Sequence, residues 1–508
     1  TGEIEGAGVQ VSGDIMEKLR EISREKEIPV PDDIRAELRP YQKRGYSWLM
    51  KNFRLGLGSL IADDMGLGKT LQVITALDEL KREGELKTGK VIAVVPATLL
   101  TNWVREIRKF APNLTAEIYH GSDRKLGDPD KRPDVLLTTY GTLRRDSEQL
   151  SKLSWRVMVM DEAQAVKNTG TGAYAAASSF PADRVIAMTG TPVENRLMEY
   201  WSIFSIVQPG LLGTASDFRE NFSVPIENEH DPRAAEAFRK LVAPFMLRRM
   251  KTDKAIISDL PDCIVQDVMT TLLPEQAYLY QETLTRNLDA ISRAEANSRD
   301  KQVKRRALVL KLITELKQIC NSPSQYNKQW SETPDSAKAE TLFELLDECR
   351  ENGRKVLVFT QYREMGELLQ GWIAKKTGRK PEFLHGGVSV ARRAVMVDDF
   401  QNNPDSHILL VSLKAGGTGL NLTAASVVIH YDLWWNPAVE SQASDRAWRI
   451  GQQRDVLVYR FVTEGTFEER INEMLTEKRR ITDLAVSSGE NWVGDMSTSE
   501  LRALFSLS

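Results

Sequence analysis

An eight-residue segment, Asp63 to Thr70, constrains this 508-residue chain more than any other part of its sequence. The segment reads DDMGLGKT. It follows a short apolar run and leads into residues with helical hydrophobic spacing, which predicts a strand, a glycine-containing loop and a helix. Such a loop can turn its backbone N–H groups toward the phosphates of a nucleotide. Lys69 can reach the β- and γ-phosphates, and the Thr70 hydroxyl can bind Mg²⁺. The segment therefore predicts that the chain binds and splits a nucleoside triphosphate.

The loop departs from the general phosphate-binding pattern G-x-x-x-x-G-K-[ST] at one position. Asp63 stands where that pattern has its first glycine. A tight strand-to-helix turn that contains Gly-Lys-Thr by chance is the alternative interpretation, because short motifs have a real false-positive rate. Motifs elsewhere in the chain have to decide between these two interpretations.

The composition is that of a globular protein without a strong overall charge. The formal net charge is −3, so a nucleic-acid partner would need local rather than global positive charge. The three cysteines, Cys263, Cys320 and Cys349, show neither metal-binding spacing nor a paired framework, which suits a reducing compartment. No apolar run approaches the roughly 20 residues that span a bilayer, and no signal peptide is evident.

Short, β-branched apolar runs recur along the chain and predict strands buried on both faces of a parallel sheet. Helical patterns separate these runs, so we predict an α/β fold with parallel sheets. The runs form two groups, and a long region with few strand signals lies between the groups. The runs are Val91–Val95, Val135–Leu137, Val157–Met160, Val185–Met188, Val356–Phe359, Ile408–Val411, Val427–Ile429 and Val456–Val458.

This pattern predicts two lobes with helical insertions between them. Residues 1–36 form an N-terminal leader, and residues 37–272 form the ATP-binding lobe one, with a helical insertion after about residue 200. Residues 273–340 form a helical insertion region at the base of lobe two, and residues 341–483 form lobe two itself. Residues 484–508 form a polar tail with one short helix.

A predicted buried strand runs directly into two carboxylates, Asp161 and Glu162. An ATPase needs such a pair beside its phosphate loop, because one carboxylate can hold Mg²⁺ through water and the other can orient the attacking water. We assign the first role to Asp161 and the second to Glu162. The alternative is an acidic strand end that caps the next helix. The following strand ends in Thr189–Pro192, which can sense the γ-phosphate or form a simple turn.

Two arginines near the end of the second group, Arg446 and Arg449, lie three residues apart, so on a helix they would share a face. Two guanidinium groups on one face can clamp a triphosphate and stabilise charge in the transition state. We therefore add both arginines to the candidate catalytic residues. The alternative is a surface helix with ordinary arginines.

The ordered set of motifs resembles the Swi/Snf family of helicase-like ATPases in helicase superfamily two. The resemblance extends from about Leu38 to about Arg480, and it includes an acidic residue at the position of Asp63. Gln164, Glu194, His385 and Trp448 replace residues that are common in the family, but no catalytic group is lost. The matching segments are Leu38–Gln42, Asp63–Thr70, Val95–Leu100 with Trp103, Thr138–Tyr140, Asp161–Gln164, Thr189–Pro192 with Asn195, Leu247–Arg249 with Lys251, Asp259–Pro261, Leu316–Asn321 with Pro323, Phe359–Tyr362, His385–Gly386 with Arg392, Ser412–Leu422, Asp432–Pro437 and Gln442–Gln452.

The resemblance implies two RecA-like lobes across a cleft, with ATP on lobe one and the two arginines reaching it from lobe two. For Trp103 and Trp434, packing in the core is an equally good alternative to a DNA contact. The residues implied for nucleotide binding are Arg39, Gln42 as the base contact, Asp64, Met65, Gly66, Leu67, Gly68, Lys69, Thr70, Gly417 and Gln442, with Mg²⁺ at Thr70 and Asp161. The residues implied for DNA binding are Trp103, Thr139, Tyr140, Arg144, His385, Lys414, Thr418 and Trp434.

The resemblance also implies an activity, namely that of a monomeric DNA-dependent ATPase motor. Such a motor uses ATP and Mg²⁺, translocates on double-stranded DNA through backbone contacts and remodels protein–DNA complexes that contain nucleosomes or RNA polymerase. A helicase that separates the strands and an ATP-dependent scaffold without DNA-coupled turnover are the open alternatives. We expect a bacterial cytoplasmic protein associated with the nucleoid, with a fragment of a nuclear remodeller as the alternative. The chain begins at Thr1 without a methionine, so we expect upstream domains to be missing.

Overall fold

The computed structural model describes residues 2–3, 10–11, 27–121, 124–127, 131–190, 197–251, 253, 260–297, 301–412, 420–434, 436–481 and 496–507. The chain divides into two compact units, whose main parts are Thr1–Ser258 and Asp259–Asp483, and each unit contains one large parallel sheet. The predicted α/β fold with two parallel-sheet lobes is therefore confirmed. Within the part of the chain that is described, no helix combines the length and the apolar character needed to cross a membrane.

The secondary-structure elements alternate along both units. The strands are β1 (Gly2–Glu3), β2 (Gln10–Val11), β3 (Ser59–Ile61), β4 (Lys90–Val94), β5 (Ala116–Ile118), β6 (Val135–Thr138), β7 (Trp155–Met160), β8 (Ala182–Met188), β9 (Met246–Leu247), β10 (Cys263–Thr270), β11 (Lys355–Thr360), β12 (Glu382–Leu384), β13 (Ile408–Ser412), β14 (Ala425–His430) and β15 (Val456–Thr463). The α-helices are Pro40–Arg54, Lys69–Arg82, Leu100–Phe110, Tyr140–Arg145, Ser147–Leu150, Gly172–Ser178, Met198–Val207, Ala215–Phe218, Val224–Glu227, Pro232–Val242, Pro274–Asn297, Lys301–Asn321, Pro323–Asn327, Ala337–Glu351, Arg363–Thr377, Val390–Asn402, Pro437–Ser444, Phe467–Ile481 and Thr498–Phe505. Short 3₁₀ turns lie at Ala97–Leu99 and Ala163–Val166, and a π-helical turn lies at Arg219–Ser223.

The sheet of the first unit is seven-stranded and parallel, in the order β5-β6-β4-β7-β8-β3-β9. Alternate residues of a strand point to opposite faces. Val91 and Ala93 of β4 therefore pack in one hydrophobic cluster, and Ile92 and Val94 pack in the other. Burial on both faces explains why the central strands read as continuous apolar runs. The order also places β8 between β7 and β3, so the loops that follow these three strands are neighbours.

The sheet of the second unit is six-stranded and parallel, in the order β10-β15-β14-β11-β13-β12. Its central strand β11 pairs with β13 on one side and β14 on the other, and Val358 stands opposite both Leu410 and Ile429. Val358 packs in one hydrophobic cluster, and its neighbour Phe359 packs in the cluster on the other face. The second sheet is thus buried on both faces by the same alternation as the first.

The boundary between the two sheets differs from the sequence-based assignment. The sequence pattern assigns residues up to 272 to lobe one, whereas Cys263–Thr270 forms β10, which pairs with Val456–Thr463 at the edge of the second sheet. The strand signal is weak because an edge strand is less covered than a central one. Ile264 and Val265 are 51% and 59% exposed. A strand in such a position does not need a continuous apolar run, so it is difficult to predict from the sequence.

A helical subdomain belongs to the second unit. The long helices Pro274–Asn297 and Lys301–Asn321 pack along each other, and the C-terminal helix Thr498–Phe505 packs in the same hydrophobic cluster. The hydroxyl of Tyr280 donates to the carbonyl oxygen of Phe505 (2.9 Å). The short helix that the sequence predicts near the C-terminus is therefore present, and it contributes to a core rather than to a separate tail.

A buried ion pair joins two helices of the second unit. The Lys338 ammonium lies 2.7 Å from Glu468 Oε2, and the two side chains are 1% and 2% exposed. The backbone N–H of Thr463 donates to the same carboxylate oxygen (3.0 Å). Removing one partner would leave the other charge buried without its counter-ion, which costs about 3–5 kcal/mol of unfolding free energy.

We expect Lys338→Ala to lower the thermal unfolding midpoint far more than Lys375→Ala does. Lys375 pairs with Glu332 at 2.9 Å, but these side chains are 58% and 84% exposed. Such an exposed pair contributes only about 0–1 kcal/mol. Thermal denaturation followed by circular dichroism measures both midpoints, and similar midpoints for the two variants would contradict the stabilising role of the buried pair.

Candidate functional site

The phosphate loop joins the end of β3 to the helix Lys69–Arg82, as the sequence predicts. Gly66 and Gly68 have positive φ angles of 84° and 73°, which a residue with a Cβ rarely adopts. A Cβ at Gly68 would also lie 2.3 Å from Gln42 Nε2. Gly68 is the N-cap of the helix, so the first N–H groups of the helix and its positive dipole end face the loop. Thr70 lies in that first turn. The arrangement is suited to a phosphate anion.

The loop itself holds the Lys69 ammonium. The ammonium donates to the carbonyl oxygens of Asp63 (2.7 Å) and Asp64 (3.1 Å). A phosphate oxygen is a stronger acceptor than a carbonyl oxygen because it carries charge. A triphosphate in the loop can therefore draw Lys69 away from the two carbonyl groups.

The segment predicted to contact the base packs directly on the phosphate loop. Gln42 Nε2 (3.2 Å) and the hydroxyl of Tyr41 (3.0 Å) both donate to the carbonyl oxygen of Leu67. Gln42 Oε1 accepts from the backbone N–H of Arg39 (2.9 Å), so both ends of the buried amide are oriented. Gln42 thus helps to position the loop, and its contact with a base stays a prediction.

The unusual acid at the start of the loop forms a buried ion pair. Arg249 contacts both carboxylate oxygens of Asp63, with Nε 2.9 Å from Oδ1 and Nη2 against Oδ2. Both side chains are buried. Glycine at this position would leave the Arg249 guanidinium buried without its counter-ion. The departure of Asp63 from the general pattern therefore has a structural explanation, which is the need to neutralise this arginine.

Asp161 lies just after β7, and its neighbours orient it. Trp103 Nε1 donates to Asp161 Oδ2 (2.8 Å), and the backbone N–H of Glu162 donates to Oδ1 (2.9 Å). The hydroxyl of Tyr140 donates to the carbonyl oxygen of Asp161 (2.8 Å). Burial raises the pKa of Asp161 to about 7 and the Glu162 carboxylate adds to the rise, while the indole N–H and the Lys69 ammonium lower this pKa. The sheet order places β3 and β7 on either side of β8, so the phosphate loop and Asp161 lie at the same edge of the sheet.

A chain of hydrogen bonds orients the Glu162 carboxylate. Gln164 Nε2 donates to Glu162 Oε2 (2.8 Å), and Gln164 Oε1 accepts from the hydroxyl of Thr189 (2.8 Å) just after β8. Glu162 has a positive φ of 50°, a strained conformation that persists only where its surroundings require it. The acidic motif identifies Glu162 from sequence. The sequence shows Gln164 as a polar residue two positions later, but it does not show that the Gln164 amide bonds this carboxylate.

The first-unit residues predicted to contact DNA differ in exposure. Trp103 is 1% exposed and its indole N–H bonds Asp161, so it packs in the core and is not available to DNA. Thr139 and Tyr140 are also buried, and Thr139 Oγ1 caps the helix Tyr140–Arg145. Arg144 in that helix is exposed. Burial corrects the expectation for Trp103, because this side chain serves the carboxylate instead.

Two second-unit residues predicted to contact DNA lie within the described part of the chain. His385 Nδ1 accepts from the backbone N–H of Gly387 (3.1 Å). Burial lowers the pKa of His385, and Arg363 lowers it further, so the ring is neutral at neutral pH. Trp434 is half-buried, and its backbone N–H donates to Glu440 Oε1 (2.7 Å). Other predicted site residues lie outside the described residues, namely Lys414, Gly417 and Thr418, as do Thr191, Pro192 and Asn195 of the matching motifs.

The helix that precedes the two arginines ends before it reaches them. It spans Pro437–Ser444, and the residues after it form turns, so Arg446 and Arg449 do not lie on one helical face. The prediction of a shared helix is therefore wrong. The reason is that Arg446 is drawn into a packed turn, where its carbonyl oxygen accepts from Leu422 N–H (3.0 Å). Arg446 is buried, and Arg449 Nη1 donates to the carbonyl oxygen of Leu420 (3.1 Å).

Gln452 organises this arginine segment, although the motif singles out the arginines alone. Its Nε2 lies within hydrogen-bond distance of the carbonyl oxygens of Thr423 (3.1 Å), Ala425 (2.7 Å) and Ala447 (3.1 Å). Its Oε1 accepts from the backbone N–H groups of the next two residues (2.9 and 3.0 Å). One buried amide thus connects the segment before β14 to the arginine turn. Gln442, predicted to bind nucleotide, is half-buried in the preceding helix.

A buried carboxylate anchors the helical subdomain to the second sheet. Asp432 follows β14 and accepts from the backbone N–H of Gln361 (2.8 Å) and from Asn321 Nδ2 (3.3 Å). Lys317 Nζ donates to the carbonyl oxygen of Leu433 (2.9 Å). Burial raises the pKa of Asp432. Two motifs that stand far apart in sequence therefore form one polar junction within the second unit.

Candidate ligands for Mg²⁺ are few, as expected for this ion. In the described ranges, no group of three or more His, Cys, Asp or Glu side chains is arranged to hold a metal. Mg²⁺ usually keeps several waters and takes one or two protein oxygens together with substrate phosphates. The hydroxyl of Thr70 and the carboxylate of Asp161 fit this pattern, because both are hard oxygen donors.

Two protein-family models match the chain. The model for the SNF2-related domain matches residues 41–325, which is more than half of the chain. The model for the helicase conserved C-terminal domain matches residues 337–451. The first match includes the phosphate loop and the acidic strand end, and the second includes Arg446 and Arg449.

The chain is similar to ATP-dependent motors from bacteria and eukaryotes. The putative ATP-dependent helicase/translocase YwqA of Bacillus subtilis (strain 168) is 40% identical over 514 residues, covering 99% of this chain and 55% of that protein. The ISWI chromatin-remodeling complex ATPase ISW1 of Saccharomyces cerevisiae is 31% identical over 487 residues, covering 90% of this chain and 41% of that protein. The chain thus spans about half the length of the curated relatives it matches. The solved Sulfolobus solfataricus SWI2/SNF2 ATPase core in complex with dsDNA is 38% identical, with 95% of this chain and 100% of that chain covered and a TM-score of 0.47.

We expect Trp103→Phe to slow ATP hydrolysis and to leave the affinity for duplex DNA unchanged. Phenylalanine keeps the packing but lacks the N–H that orients Asp161, and loss of such an outer partner typically costs about 10–100-fold in metal affinity or activity. ATPase rates across a Mg²⁺ titration and fluorescence anisotropy with labelled duplex measure the two properties. Normal hydrolysis with weakened DNA binding would restore the DNA-contact interpretation.

Proposed function

Because the chain belongs to the SNF2-related family, we propose that it is a DNA-dependent ATPase motor that translocates on double-stranded DNA and remodels protein–DNA complexes. The observation that carries the proposal is the position of the phosphate loop after β3 in the same parallel sheet in which Asp161 follows β7. It supports one site in which the phosphate lysine and the acidic strand end act on the same nucleotide. The neighbouring positions of β7, β8 and β3 support the same site, since ligands of parallel sheets bind at the carboxyl ends of the strands.

The phosphate loop would hold the triphosphate, and Lys69 would bind its β- and γ-phosphates. The backbone from Asp64 to Gly68 and the first turn of the following helix would supply N–H donors. Arg39 and Gln42 would lie on the side of the base. The bonds from Gln42 to the loop support this assignment, because they bring that segment beside the phosphates.

Thr70 and Asp161 would hold Mg²⁺, which when bound neutralises charge on the β- and γ-phosphate oxygens. Glu162 would orient the attacking water and polarise it. Gln164 orients the Glu162 carboxylate, and the hydroxyl of Thr189 in turn orients the Gln164 amide. This chain of contacts supports a site that is ordered before the reaction rather than assembled by it.

We assign stabilisation of transition-state charge to Arg446 and Arg449, with Gln442 and Gly417 as further nucleotide contacts. A guanidinium stays protonated and can bond phosphate oxygens through a rigid fork. The buried amide of Gln452 supports the assignment, because it bonds the turn that carries both arginines to the start of β14.

We propose that duplex DNA binds mostly through its phosphate backbone, which makes binding independent of sequence and sensitive to salt. One relative is described as a helicase/translocase and another as a chromatin-remodeling ATPase, and these descriptions support DNA as the partner. The exposure of Arg144 supports a phosphate contact there. The residues assigned to DNA are Arg144, His385, Lys414, Thr418 and Trp434, whereas burial argues against a contact by the side chains of Thr139 and Tyr140.

We also propose a biological setting for the motor. Relatives in Bacillus and Mycoplasma support a bacterial cytoplasmic protein, and we propose that it acts at the nucleoid as a monomeric motor. Its targets would be DNA-bound proteins, such as RNA polymerase in a bacterium or nucleosomes in a nucleus. Strand separation is the second candidate activity, because the Bacillus relative is described as a helicase as well as a translocase.

We expect Glu162→Gln to bind ATP normally and to lose nearly all turnover. The amide keeps the shape of the side chain but cannot polarise water, and loss of such a group lowers kcat by about 10²–10⁴-fold. Binding of the fluorescent analogue mant-ATP and steady-state ATPase rates measure the two properties. Undiminished hydrolysis would mean that another residue orients the water.

We also expect duplex DNA to stimulate ATP turnover, and the stimulation to weaken as salt rises because phosphate contacts release counter-ions. ATPase rates with duplex DNA, single-stranded DNA, RNA and nucleosomes, compared side by side, test this proposal. A flat rate across a duplex titration at low salt would favour an ATP-dependent scaffold. Efficient separation of a blunt duplex in a strand-displacement assay would favour the helicase.

A further inference from the structure

Arg249 connects three segments around the phosphate loop. Its guanidinium bonds both carboxylate oxygens of Asp63, and Nη2 also donates to Gln72 Oε1 (2.7 Å) in the helix that follows the loop. Nη1 donates to the carbonyl oxygen of Tyr41, whose ring centroid lies 5.0 Å from the guanidinium carbon. A Cβ at Gly45 would lie 1.9 Å from Gln72 Oε1, so this glycine leaves room for the cluster. Arg249 is therefore a buried junction rather than a surface charge.

The backbone around Arg249 runs beside the loop. β9 pairs with β3, and the bonding continues past both strands. Ala62 N–H donates to the carbonyl oxygen of Leu247 (2.7 Å), and Asp64 N–H donates to that of Arg249 (3.0 Å). Lys251 N–H donates back to the Asp64 carboxylate (2.9 Å). The segment from 247 to 251 is thus bonded to the beginning of the phosphate loop by backbone and side chain together.

The segment 247–251 lies near the end of the first unit in sequence. Beyond it, the chain continues to the second compact unit, whose main part begins at Asp259. The Lys69 ammonium bonds the carbonyl oxygens of Asp63 and Asp64, which are the residues that the segment 247–251 also bonds. A phosphate that draws Lys69 away therefore acts on residues fixed to the start of the connection between the units.

We infer that Arg249 is a positioning residue that couples occupancy of the phosphate loop to the chain segment leading to the second unit. The inference rests on the proposed function, because it concerns how DNA binding and ATP turnover affect each other. A guanidinium that bonds both oxygens of one carboxylate fixes the relative orientation of the two side chains as well as the distance between them. The pair therefore adds a fixed orientation to the backbone bonds between the loop and the segment 247–251, and its loss leaves those bonds alone to join them.

A purely structural ion pair would behave differently. Its loss would lower stability, nucleotide affinity and basal turnover together, and would leave the ratio of DNA-stimulated to basal turnover unchanged. Removing only one partner cannot separate the two roles, because it leaves a buried charge without a counter-ion. Both charges have to be neutralised at once.

The test compares the wild-type chain with the double variant Asp63→Asn/Arg249→Gln. Three quantities are measured, namely the Kd for mant-ATP, the basal kcat and the kcat at saturating duplex DNA. Because Asp63 lies in the phosphate loop, we expect the double variant to change the Kd and the basal kcat as well, so the stimulation ratio is formed within each variant. We expect the ratio of the two kcat values to fall about tenfold toward one, a loss within the range typical of coupling between sites.

Two further variants control for stability and for charge. Lys338→Met/Glu468→Gln neutralises the buried pair of the second unit, which is equally inaccessible to solvent, and it should keep the full stimulation ratio. Arg249→Lys retains the buried cation, but an ammonium cannot bond both carboxylate oxygens through a planar fork. We expect Arg249→Lys to lose stimulation while its thermal unfolding midpoint stays closer to wild type than that of Arg249→Gln alone.

The outcomes separate the possibilities. A wild-type stimulation ratio in Asp63→Asn/Arg249→Gln would overturn the inference, and so would an equal loss of stimulation in Lys338→Met/Glu468→Gln. Weaker mant-ATP binding or slower basal turnover in Asp63→Asn/Arg249→Gln, together with a wild-type stimulation ratio, would identify a purely structural role for the pair. If duplex DNA does not stimulate ATP turnover by the wild-type chain, the proposed function is wrong. The inference is then wrong as well, because it rests on that function.

Discussion

The strands of a parallel sheet all end at the same edge, and the candidate functional residues of both units depend on this arrangement. In the first unit, the loops after β3, β7 and β8 are neighbours, so residues more than a hundred positions apart in sequence reach one place. Lys69 after β3 and Thr189 after β8, for example, both lie at this edge. In the second unit, Gln361 after β11 and Asp432 after β14 meet for the same reason.

The polar groups at a buried sheet edge need hydrogen-bond or ion-pair partners within the protein. A buried carboxylate without donors would cost free energy of folding. The chain meets this requirement with residues that are not themselves expected to touch a ligand. Arg249 neutralises Asp63, and the indole of Trp103 bonds Asp161. These supporting groups fix the direction of each functional oxygen. Their substitution would therefore disturb chemistry at a site that they do not enter.

Sequence reasoning succeeded where a pattern is local and failed where a partner is distant. The phosphate loop was predictable because its glycines and the helix start lie within eight residues. Strand β10 was not, since an edge strand needs no apolar run. The helix proposed for Arg446 and Arg449 also failed, because the turn that replaces it is held by bonds to Leu422 and Gln452. Such contacts cannot be recognised from the spacing of residues along the sequence.

The sequence alone determined the two α/β lobes and the candidate nucleotide site, because buried parallel strands and phosphate loops each impose a residue pattern on a short stretch of chain. Only the tertiary structure decided what Asp63 does. In the sequence it is an exception to a pattern, whereas in the fold it is the counter-ion of Arg249, which stands 186 positions later. Complementary charges that pair across such a separation leave no periodicity to detect, so the reason for this acid became visible only when the chain was folded.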